Sequence, residues 1–405
     1  MTLLRRSPGR VYLPQGFSFS AACAGIKASG RLDLGLVEAP PGTTAAAVFT
    51  QNRVVAAPVE FGRAALAANH GRMRAVIVNS GNANCATGDH AYLACQQICR
   101  AAGRLLGLQS EEVFPSSTGI IGVALPTEKI LATLATLVSE RGTTKKHLDQ
   151  FVRAIMTTDT RPKLASVRFR SGKGTITLAG VAKGSGMIHP QLATMLVYLF
   201  TDAAATAAEL KRFLRGGCEH TFNCISVDGD TSTNDTVLLL ASGKSGVRLN
   251  NKSTRKQFAH ALSEVCESLA EQIVSDGEGV QHVIRLSIEQ ARSQKEALRV
   301  ARAVAHSLLV KTAWAGADPN WGRILAAVGS SGVPIKQDKV SIFIGSQLVC
   351  RNGASCRFDE RRAHEHLVKP GCDVRITLQR GRAGTTFLTT DLTADYVRIN
   401  ADYST

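Results

Sequence analysis

Short apolar runs rich in β-branched residues alternate with longer amphipathic segments, and this alternation constrains the fold more than any other feature. The short runs predict strands, and segments with apolar residues at helical spacing predict helices. The predicted strands are residues 74–78, 174–178, 236–240 and 340–344, and the predicted helices include residues 90–106, 255–274 and 287–309. Because sheets must bury their apolar faces under other elements, we expect an α/β or α+β layered sandwich.

Residues typical of helix ends place the boundaries of two helices. Asp89 is a predicted N-cap of the helix that runs from residue 90 towards Gly107. Thr206 and Glu209 have the spacing of a capping box, in which each side chain hydrogen-bonds the other residue's backbone N–H. The helix that this box opens is predicted to stop at the Gly216-Gly217 pair, because glycine is common where helices end.

The composition is that of an ordinary globular protein. The 405 residues are 44% hydrophobic and 20% charged, which excludes wholesale disorder. The apolar run from Met195 to Phe200 is far shorter than the roughly 20 residues that cross a membrane. Arg5, Arg6 and Arg10 are not followed by an apolar segment, so no secretory signal is expected. We therefore expect a cytoplasmic protein without a membrane partner.

The chain is strongly basic, with a net charge of +16 at pH 7. Its basic residues occur in no run longer than a pair, and no aromatic residues that could stack on bases are interleaved with them. This pattern favours attraction of small anionic substrates over binding of nucleic acid. The ten cysteines include no CxxC pair, and Cys95 and Cys99 lack a second ligand pair at zinc spacing. We expect buried, reduced thiols and no metal site.

The most informative stretch runs from Lys183 to Leu196. It is rich in glycine and hydroxyl residues, but it lacks the spacing of a phosphate-binding Walker loop. Thr194 stands where this irregular, Pro190-containing loop enters the apolar run that starts at Met195. A threonine at such a junction can be a simple turn residue, which physics alone favours. It can also be a nucleophile if chain cleavage frees its own α-amino group to act as the base.

Several segments together resemble one family. The stretch from Lys183 to Ala203 resembles the cleavage and nucleophile segment of the ornithine acetyltransferase family, the glutamate N-acetyltransferases of arginine biosynthesis. The other similar blocks are NSGNAN (79–84), STG (117–119), MTTDT (156–160), DGDTSTND (228–235), DGEG (276–279), DPNWGR (318–323) and NADYST (400–405). One such block is weak evidence, whereas an ordered set that extends to the last residue is strong.

The resemblance implies that the chain cleaves itself between Ala193 and Thr194. The products are an α fragment of residues 1–193 and a β fragment of residues 194–405 that begins with the nucleophile. The free α-amino group of Thr194 has an ordinary pKa of roughly 7.7–8.0, which suits a general base near neutral pH. A Ser-His-Asp set is then unnecessary, and His189 receives no catalytic role.

The resemblance also assigns site residues. Thr118 and Gly119 match the oxyanion-hole pair, whose donors must be fixed before the reaction. The residues that match substrate contacts are Thr157, Lys183, Thr194, Glu278, Asn400 and Thr405. Lys183 can hold an α-carboxylate, and Glu278 can pair with a cationic side-chain amine.

Plainer interpretations exist for several of these residues. Thr118-Gly119 can be an ordinary turn, Glu278 a solvated loop residue, Asn400 a turn former, and the C-terminus a frayed tail. The family-like segments 228–235 and 318–323 are interpreted as scaffolding turns, since Asp228 and Asp230 alone do not complete a metal site.

The implied enzyme transfers acetyl from N2-acetylornithine to L-glutamate through an acetyl ester on Thr194, in a ping-pong scheme. It needs no cofactor or metal, although some members of the family also take acetyl-CoA as donor. The implied fold is of the N-terminal-nucleophile kind, built from intertwined fragments that usually assemble as α2β2. Two rival hypotheses are a self-processed aminopeptidase of the same fold and an uncleaved nucleic-acid-binding module.

Overall fold

A computed structural model describes residues 11–172, 174–189 and 195–402. The strands in these parts of the chain are β1 (Ser18–Ala22), β2 (Leu34–Glu38), β3 (Thr44–Phe49), β4 (Ala75–Asn82), β5 (Val113–Ile120), β6 (Lys163–Ser171), β7 (Gly174–Lys183), β8 (Leu196–Thr201), β9 (Thr236–Ala241), β10 (Val283–Ala291), β11 (Ser341–Ile344), β12 (Gln347–Arg351), β13 (Ala354–Ser355), β14 (Gly371–Thr377) and β15 (Ala383–Thr390). The helices there are α1 (Ala57–Ala68), α2 (Asp89–Leu106), α3 (Thr127–Ser139), α4 (Lys145–Ile155), α5 (Ala207–His220), α6 (Lys252–Val274), α7 (Gln294–Ala305), α8 (Leu308–Ala315), α9 (Trp321–Gly329), α10 (Glu360–Leu367) and α11 (Ala394–Asp402).

The first sheet has the strand order β1-β2-β4-β5, and helices α1 to α4 pack against it. Its first two pairings are antiparallel, whereas β4 and β5 are parallel. Parallel strands end at the same edge of a sheet, so the carboxyl ends of β4 and β5 lie side by side. Ser80 is opposite Thr118 and Gly81 is opposite Gly119, and the register shifts at Asn82.

The second sheet has the order β3-β9-β8-β7-β6 and therefore draws strands from both sides of the predicted cleavage bond. Strands β3, β6 and β7 precede residue 193, and β8 and β9 follow residue 194. Strand β8 pairs antiparallel with β7, where Leu196 is opposite Lys183, and parallel with β9, where Leu196 is opposite Thr236. The two predicted fragments thus share one sheet and are interleaved rather than being separate folding units.

Both faces of the second sheet are buried. On one face, Tyr198 packs against Phe151 of α4 with ring centroids 5.7 Å apart, and Phe200 packs against Phe19 of the first sheet at 5.3 Å. The other face packs beneath α5 and α6. A β carbon at Gly180 would lie 2.8 Å from Leu269 and 2.9 Å from Val265 of α6, so a larger residue there would require these side chains to shift. The alternation of these layers confirms the predicted α/β class.

The third sheet has the order β13-β12-β11-β14-β10-β15 and forms a separate apolar core with helices α7 to α10. Fully buried Trp314 is among the largest side chains in this core. A single bridge between Ile225 and Leu388 joins β15 to the segment before β9. The third sheet is thereby connected to the segment that leads into β9 of the second sheet.

The predicted strands at 74–78, 174–178, 236–240 and 340–344 are confirmed within one residue at their starts, but two helix boundaries and one whole helix were predicted wrongly. Gly88 rather than Asp89 precedes the first turn of α2, and no side chain caps this helix. Helix α5 continues past Gly216 and Gly217 to His220. The segment 287–309 contains the end of β10, helix α7 and the start of α8 instead of one helix.

The thiols follow the prediction from sequence. All ten cysteines are free, and all except Cys23 and Cys356 are buried. Burial raises the pKa of Cys95 to about 12, which keeps this thiol protonated and unreactive. None of the helices in the described parts of the chain combines the length and apolar composition needed to span a membrane.

Candidate active site

A cavity of about 190 Å³ opens where the ends of β5 and β7 meet the loops before β9 and β10 and helix α11. Six residues that the sequence assigned to a site line it, namely Thr118, Gly119, Thr157, Lys183, Glu278 and Asn400. The other three, Ala193, Thr194 and Thr405, lie outside the described residues. Positions more than 280 residues apart in sequence, such as Thr118 and Asn400, thus line one cavity.

Thr118 and Gly119 are in β5 at the edge where β4 and β5 end together. Gly119 has a φ of +134°, and a β carbon there would lie 2.3 Å from the Gly81 backbone carbon. Only glycine fits both this conformation and this close approach. Thr118 is 4% exposed, and its hydroxyl lines the cavity in contact with Lys183. The plain-turn interpretation of this pair does not describe the structure, since both residues belong to a strand.

Lys183 is the last residue of β7 and is 3% exposed. Its Nζ donates a hydrogen bond to Thr118 Oγ1 at 3.1 Å. Burial lowers the pKa of Lys183, and the negative charge of Asp159 opposes this shift. An ammonium in the wall of a small cavity can bind the carboxylate of an amino acid by a charge-assisted hydrogen bond.

Behind this wall lies an ion network that the sequence did not reveal. Lys163 Nζ contacts Asp159 Oδ1 at 2.6 Å and Asp276 Oδ2 at 2.5 Å, and all three side chains are buried. Burial by itself raises the pKa of Asp159, but Lys163, Lys183 and the N–H of Gly184 outweigh it and hold this pKa at about 2. The only signal in the sequence was that Asp159 and Asp276 belong to the family-like blocks 156–160 and 276–279.

Glu278 follows α6 and points towards the cavity. A β carbon at Gly186 would lie 2.3 Å from Glu278 Oε2, so this carboxylate is packed against the glycine-rich loop. Asn400 donates through Nδ2 to the same Oε2 at 2.9 Å. Asn400 is on helix α11, which is held near the loop by a hydrogen bond from Thr393 Oγ1 to the Gly279 carbonyl. Asn400 is therefore a helix residue rather than a turn former, and Glu278 is a partly buried residue of the loop after α6.

The segment 228–235 does more than form a scaffolding turn. Asp228, Asp230, Ser232, Thr233 and Asn234 all line the cavity. Asp228 accepts backbone hydrogen bonds from Met187 at 2.5 Å and Ile188 at 2.8 Å, and burial raises its pKa to about 6. This carboxylate fixes the loop that leads to the predicted cleavage bond.

Asn234 and Asp235, which precede β9, connect the first and second sheets beside the cavity. Asn234 Nδ2 donates to the backbone carbonyls of Ala83 at 2.7 Å and Ser117 at 2.9 Å. Asp235 Oδ1 accepts from the N–H of Met195 at 3.0 Å. The residue that follows Thr194 is thereby anchored beside the start of β9.

Segment 318–323, by contrast, is a scaffold. The Asn320 side chain caps α9 by accepting from the N–H of Arg323 at 3.1 Å, and none of these residues lines the cavity. His189 stacks against His306 with ring centroids 4.7 Å apart and also lies outside the cavity lining. Among the described residues, no group of three or more His, Cys, Asp or Glu is arranged to hold a metal ion.

The cavity combines an ammonium and a hydroxyl, from Lys183 and Thr118, with the carboxylates of Glu278, Asp228 and Asp230. Such a wall complements a small molecule that carries both positive and negative groups. The layered α/β fold and this polar cavity are typical of an enzyme that acts on a small charged substrate.

Comparisons with known proteins identify the family. The model of the ArgJ family matches residues 18–405. The chain is 43% identical over 394 residues to the arginine biosynthesis bifunctional protein ArgJ of Geobacter sulfurreducens, covering 96% of this chain and 99% of that protein. It is 41% identical over 395 residues to the glutamate N-acetyltransferase of Methanopyrus kandleri, covering 97% and 99%. The crystal structure of the ArgJ protein of Bacillus halodurans is similar at 39% identity and a TM-score of 0.48, covering 50% of this chain and 96% of that one.

The chain belongs to the ArgJ family and is an acyltransferase of arginine biosynthesis. The family resemblance and the enzyme class predicted from the sequence are confirmed. The roles of the individual site residues stay predictions.

Proposed function

We propose that the protein transfers the acetyl group of N2-acetylornithine to the α-amino group of L-glutamate through an ester on Thr194. The observation that carries this proposal is that Thr118, Gly119, Lys183 and Glu278 line the same cavity. The anchoring of Met195 at the head of β8 supports it further, because this hydrogen bond fixes the chain next to the proposed nucleophile.

The first step is self-cleavage. The Thr194 hydroxyl attacks the carbonyl carbon of Ala193, and the peptide C–N bond breaks to give an ester with a free α-amino group on Thr194. Water then hydrolyses this ester, which leaves a free carboxylate on Ala193 and restores the Thr194 hydroxyl. Because β7 and β8 are paired in one sheet, the fragments stay associated after the bond is cut.

Acetyl transfer uses the same hydroxyl. The α-amino group of Thr194 takes its proton while the oxygen attacks the acetyl carbonyl carbon. Thr118 and Gly119 stabilise the oxyanion. The C–N bond to ornithine breaks, the proton passes to the departing nitrogen, and acetyl-Thr194 remains. The α-amino group of glutamate then attacks this ester, which restores the Thr194 hydroxyl and yields N-acetylglutamate.

Charged side chains in the cavity wall recognise the two substrates. Lys183 binds the α-carboxylate that both substrates carry, and Glu278 pairs with the side-chain amine of the ornithine moiety. No cofactor or metal takes part in this scheme. The processed fragments are proposed to assemble as α2β2 in the cytoplasm.

Two measurements test the proposal together. N-terminal sequencing of the purified protein should give a fragment starting Thr-Met-Leu-Val, in addition to the original N-terminus. Initial rates at varied N2-acetylornithine and glutamate should give parallel double-reciprocal lines, and quenching with the donor alone should leave one acetyl group on the peptide that starts at Thr194. Intersecting lines without an acetylated peptide would mean direct transfer between two bound substrates.

Substrate assays separate the remaining possibilities. Hydrolysis of aminoacyl amides in place of acetyl transfer would assign the site to a peptidase instead. Replacing N2-acetylornithine by acetyl-CoA measures whether the protein has a second acetyl donor.

A further inference from the structure

Asp159 is a fully buried carboxylate that has no role in the proposed reaction, although it lies directly behind the cavity. Its Oδ2 accepts from the N–H of Thr157 at 3.0 Å, and its Oδ1 accepts from the N–H of Gly184 at 2.7 Å. Thr157 lines the cavity, and Gly184 is bonded to the lining residue Lys183. One carboxylate therefore fixes the backbone of two separate segments that carry proposed substrate contacts.

Lys163 and Asp276 hold this carboxylate in place and extend the network. Lys163 Nζ contacts both acidic side chains, and Asp276 also accepts from the N–H of Thr160 at 3.1 Å. The backbone carbonyl of Asp276 accepts from the Ser185 hydroxyl at 2.6 Å. These bonds tie the segment before Glu278 to the loop after β7, so three cavity-forming segments share one buried network.

The contact between Lys183 and Thr118 depends on the charge state of the lysine. An ammonium can only donate, so the bond of 3.1 Å uses a lone pair of Thr118 Oγ1 and leaves the hydroxyl proton free for a group in the cavity. A neutral amine could instead accept that proton and remove the donor. The ionisable groups that act on Lys183 or are acted on by it are Asp159, Lys163, Asp235, Glu278 and Lys27.

We infer that Asp159 is a positioning residue of the active site, which fixes the backbone at Thr157 and Gly184 and thereby holds the Lys183 ammonium against the Thr118 hydroxyl. Its carboxylate does not touch the substrate. It acts through the geometry and the charge of Lys183. The inference rests on the proposed acetyl transfer, because that reaction requires Thr118 as an oxyanion donor.

The main test compares two buried carboxylates. Each accepts a hydrogen bond from a backbone N–H, either within β7 or at Gly184, the residue that follows β7. Asp159→Asn keeps the size of the side chain and removes its charge. The matched control is Asp202→Asn, since Asp202 accepts from the N–H of Thr177 at 2.8 Å in the same strand but does not line the cavity. Both variants are assayed for acetyl transfer from N2-acetylornithine to glutamate across pH, after mass spectrometry has verified their processing.

We expect Asp159→Asn to lower kcat roughly 10- to 100-fold, as expected when reacting groups are misplaced. The sign of the pH effect follows from the charges. Burial lowers the pKa of Lys183 and Asp159 opposes it, so loss of Asp159 lowers this pKa further. The ammonium is then lost at lower pH, and the alkaline limb of the kcat profile moves to lower pH. Asp202→Asn is expected to leave that limb in place.

A second variant keeps the test decisive if Asp159→Asn does not fold. Lys163 is a cation that lowers the pKa of Lys183, so Lys163→Met should move the alkaline limb to higher pH. A general loss of stability would not move the limb in this direction. Burial also lowers the pKa of Lys27 to about 8, so Lys27→Met is included, and the limb should persist in that variant.

The inference is overturned if the limb of processed Asp159→Asn coincides with that of the wild type, if Asp202→Asn moves it equally, or if Lys27→Met abolishes it. Should Asp159→Asn fail to fold, an unmoved or lowered limb in Lys163→Met overturns it as well. A processed wild-type protein without acetyl transfer overturns the proposed function instead, so the two failures are distinguishable.

Discussion

The wall of the cavity is built in two different ways. Thr118, Gly119 and Lys183, which we call the strand wall, are strand residues, and both polar side chains are less than 5% exposed. The loop wall consists of Asp228, Asp230, Glu278, Tyr396 and Asn400, which lie on loops and on the C-terminal helix α11. Its Glu278 and Asn400 are only partly buried.

This difference indicates that the strand wall stabilises the transition state and that the loop wall recognises the substrate side chain. Strand ends in a close-packed layer hold their groups rigidly, as stabilisation of a transition state requires. Loops and a terminal helix can adjust to different side chains, as the proposed exchange of a substrate with a cationic side chain for one with an anionic side chain requires. We therefore expect changes in the strand wall to lower turnover, and changes in the loop wall to alter substrate preference.

The largest effect is expected at Thr194, in the segment that leads into β8. Thr194→Ala removes both the proposed self-cleaving hydroxyl and the acetyl acceptor, so the chain should stay intact at 43.1 kDa. Acetyl transfer should fall by roughly 10⁴- to 10⁶-fold, as for other lost nucleophiles. A denaturing gel and the transfer assay measure the two effects. Efficient cleavage of this variant at the same bond would refute the assignment of Thr194.

Within the strand wall, Thr118→Ala should lower kcat by about 10²–10³-fold, because it removes one oxyanion donor. The KM for both substrates should change much less. Steady-state kinetics on fully processed protein give this comparison. Unchanged turnover would make Thr118 a structural residue of β5 and would remove the distinction between the two walls.

In the loop wall, Glu278→Gln keeps the shape of the side chain and removes its charge. The KM for N2-acetylornithine should rise about 10- to 100-fold, the range for loss of a hydrogen bond to a charged group. The KM for glutamate should rise much less, since glutamate has no side-chain amine. Equal losses for both substrates would mean that Glu278 acts on folding or on the chemistry.

The smallest effect is expected for Asn400→Ala. The bond of 2.9 Å from Asn400 Nδ2 to Glu278 Oε2 orients that carboxylate, and losing such a bond typically costs about 1 kcal/mol. The KM for N2-acetylornithine should rise roughly fivefold while kcat stays nearly constant. Combining this change with Glu278→Gln should add little further loss, because the two residues act on the same contact.

Sequence signals predicted the structure correctly where the interactions they imply form between residues close together in the chain. The Thr206–Glu209 capping box is present as predicted, since both of its hydrogen bonds form within one turn of helix. The same helix ran past its predicted end because Gly217 packs against Leu262 of α6, which favours continuing the helix. The strand at 283–291 was missed because its partners, β14 and β15, lie more than 70 residues further along the chain.

The sequence by itself determined the layered α/β class, the family, and six of the residues that meet in the cavity, because these depend on local patterns and on ordered motifs. Only the tertiary structure decided that Asp159, Lys163 and Asp276 form one buried network, and that residues 228–234 line the cavity rather than merely turning the chain. The physical reason is that a buried charge is stable only beside its partners. Asp276 lies more than 100 residues from Asp159 and Lys163 in the chain, and no local pattern can bring it beside them.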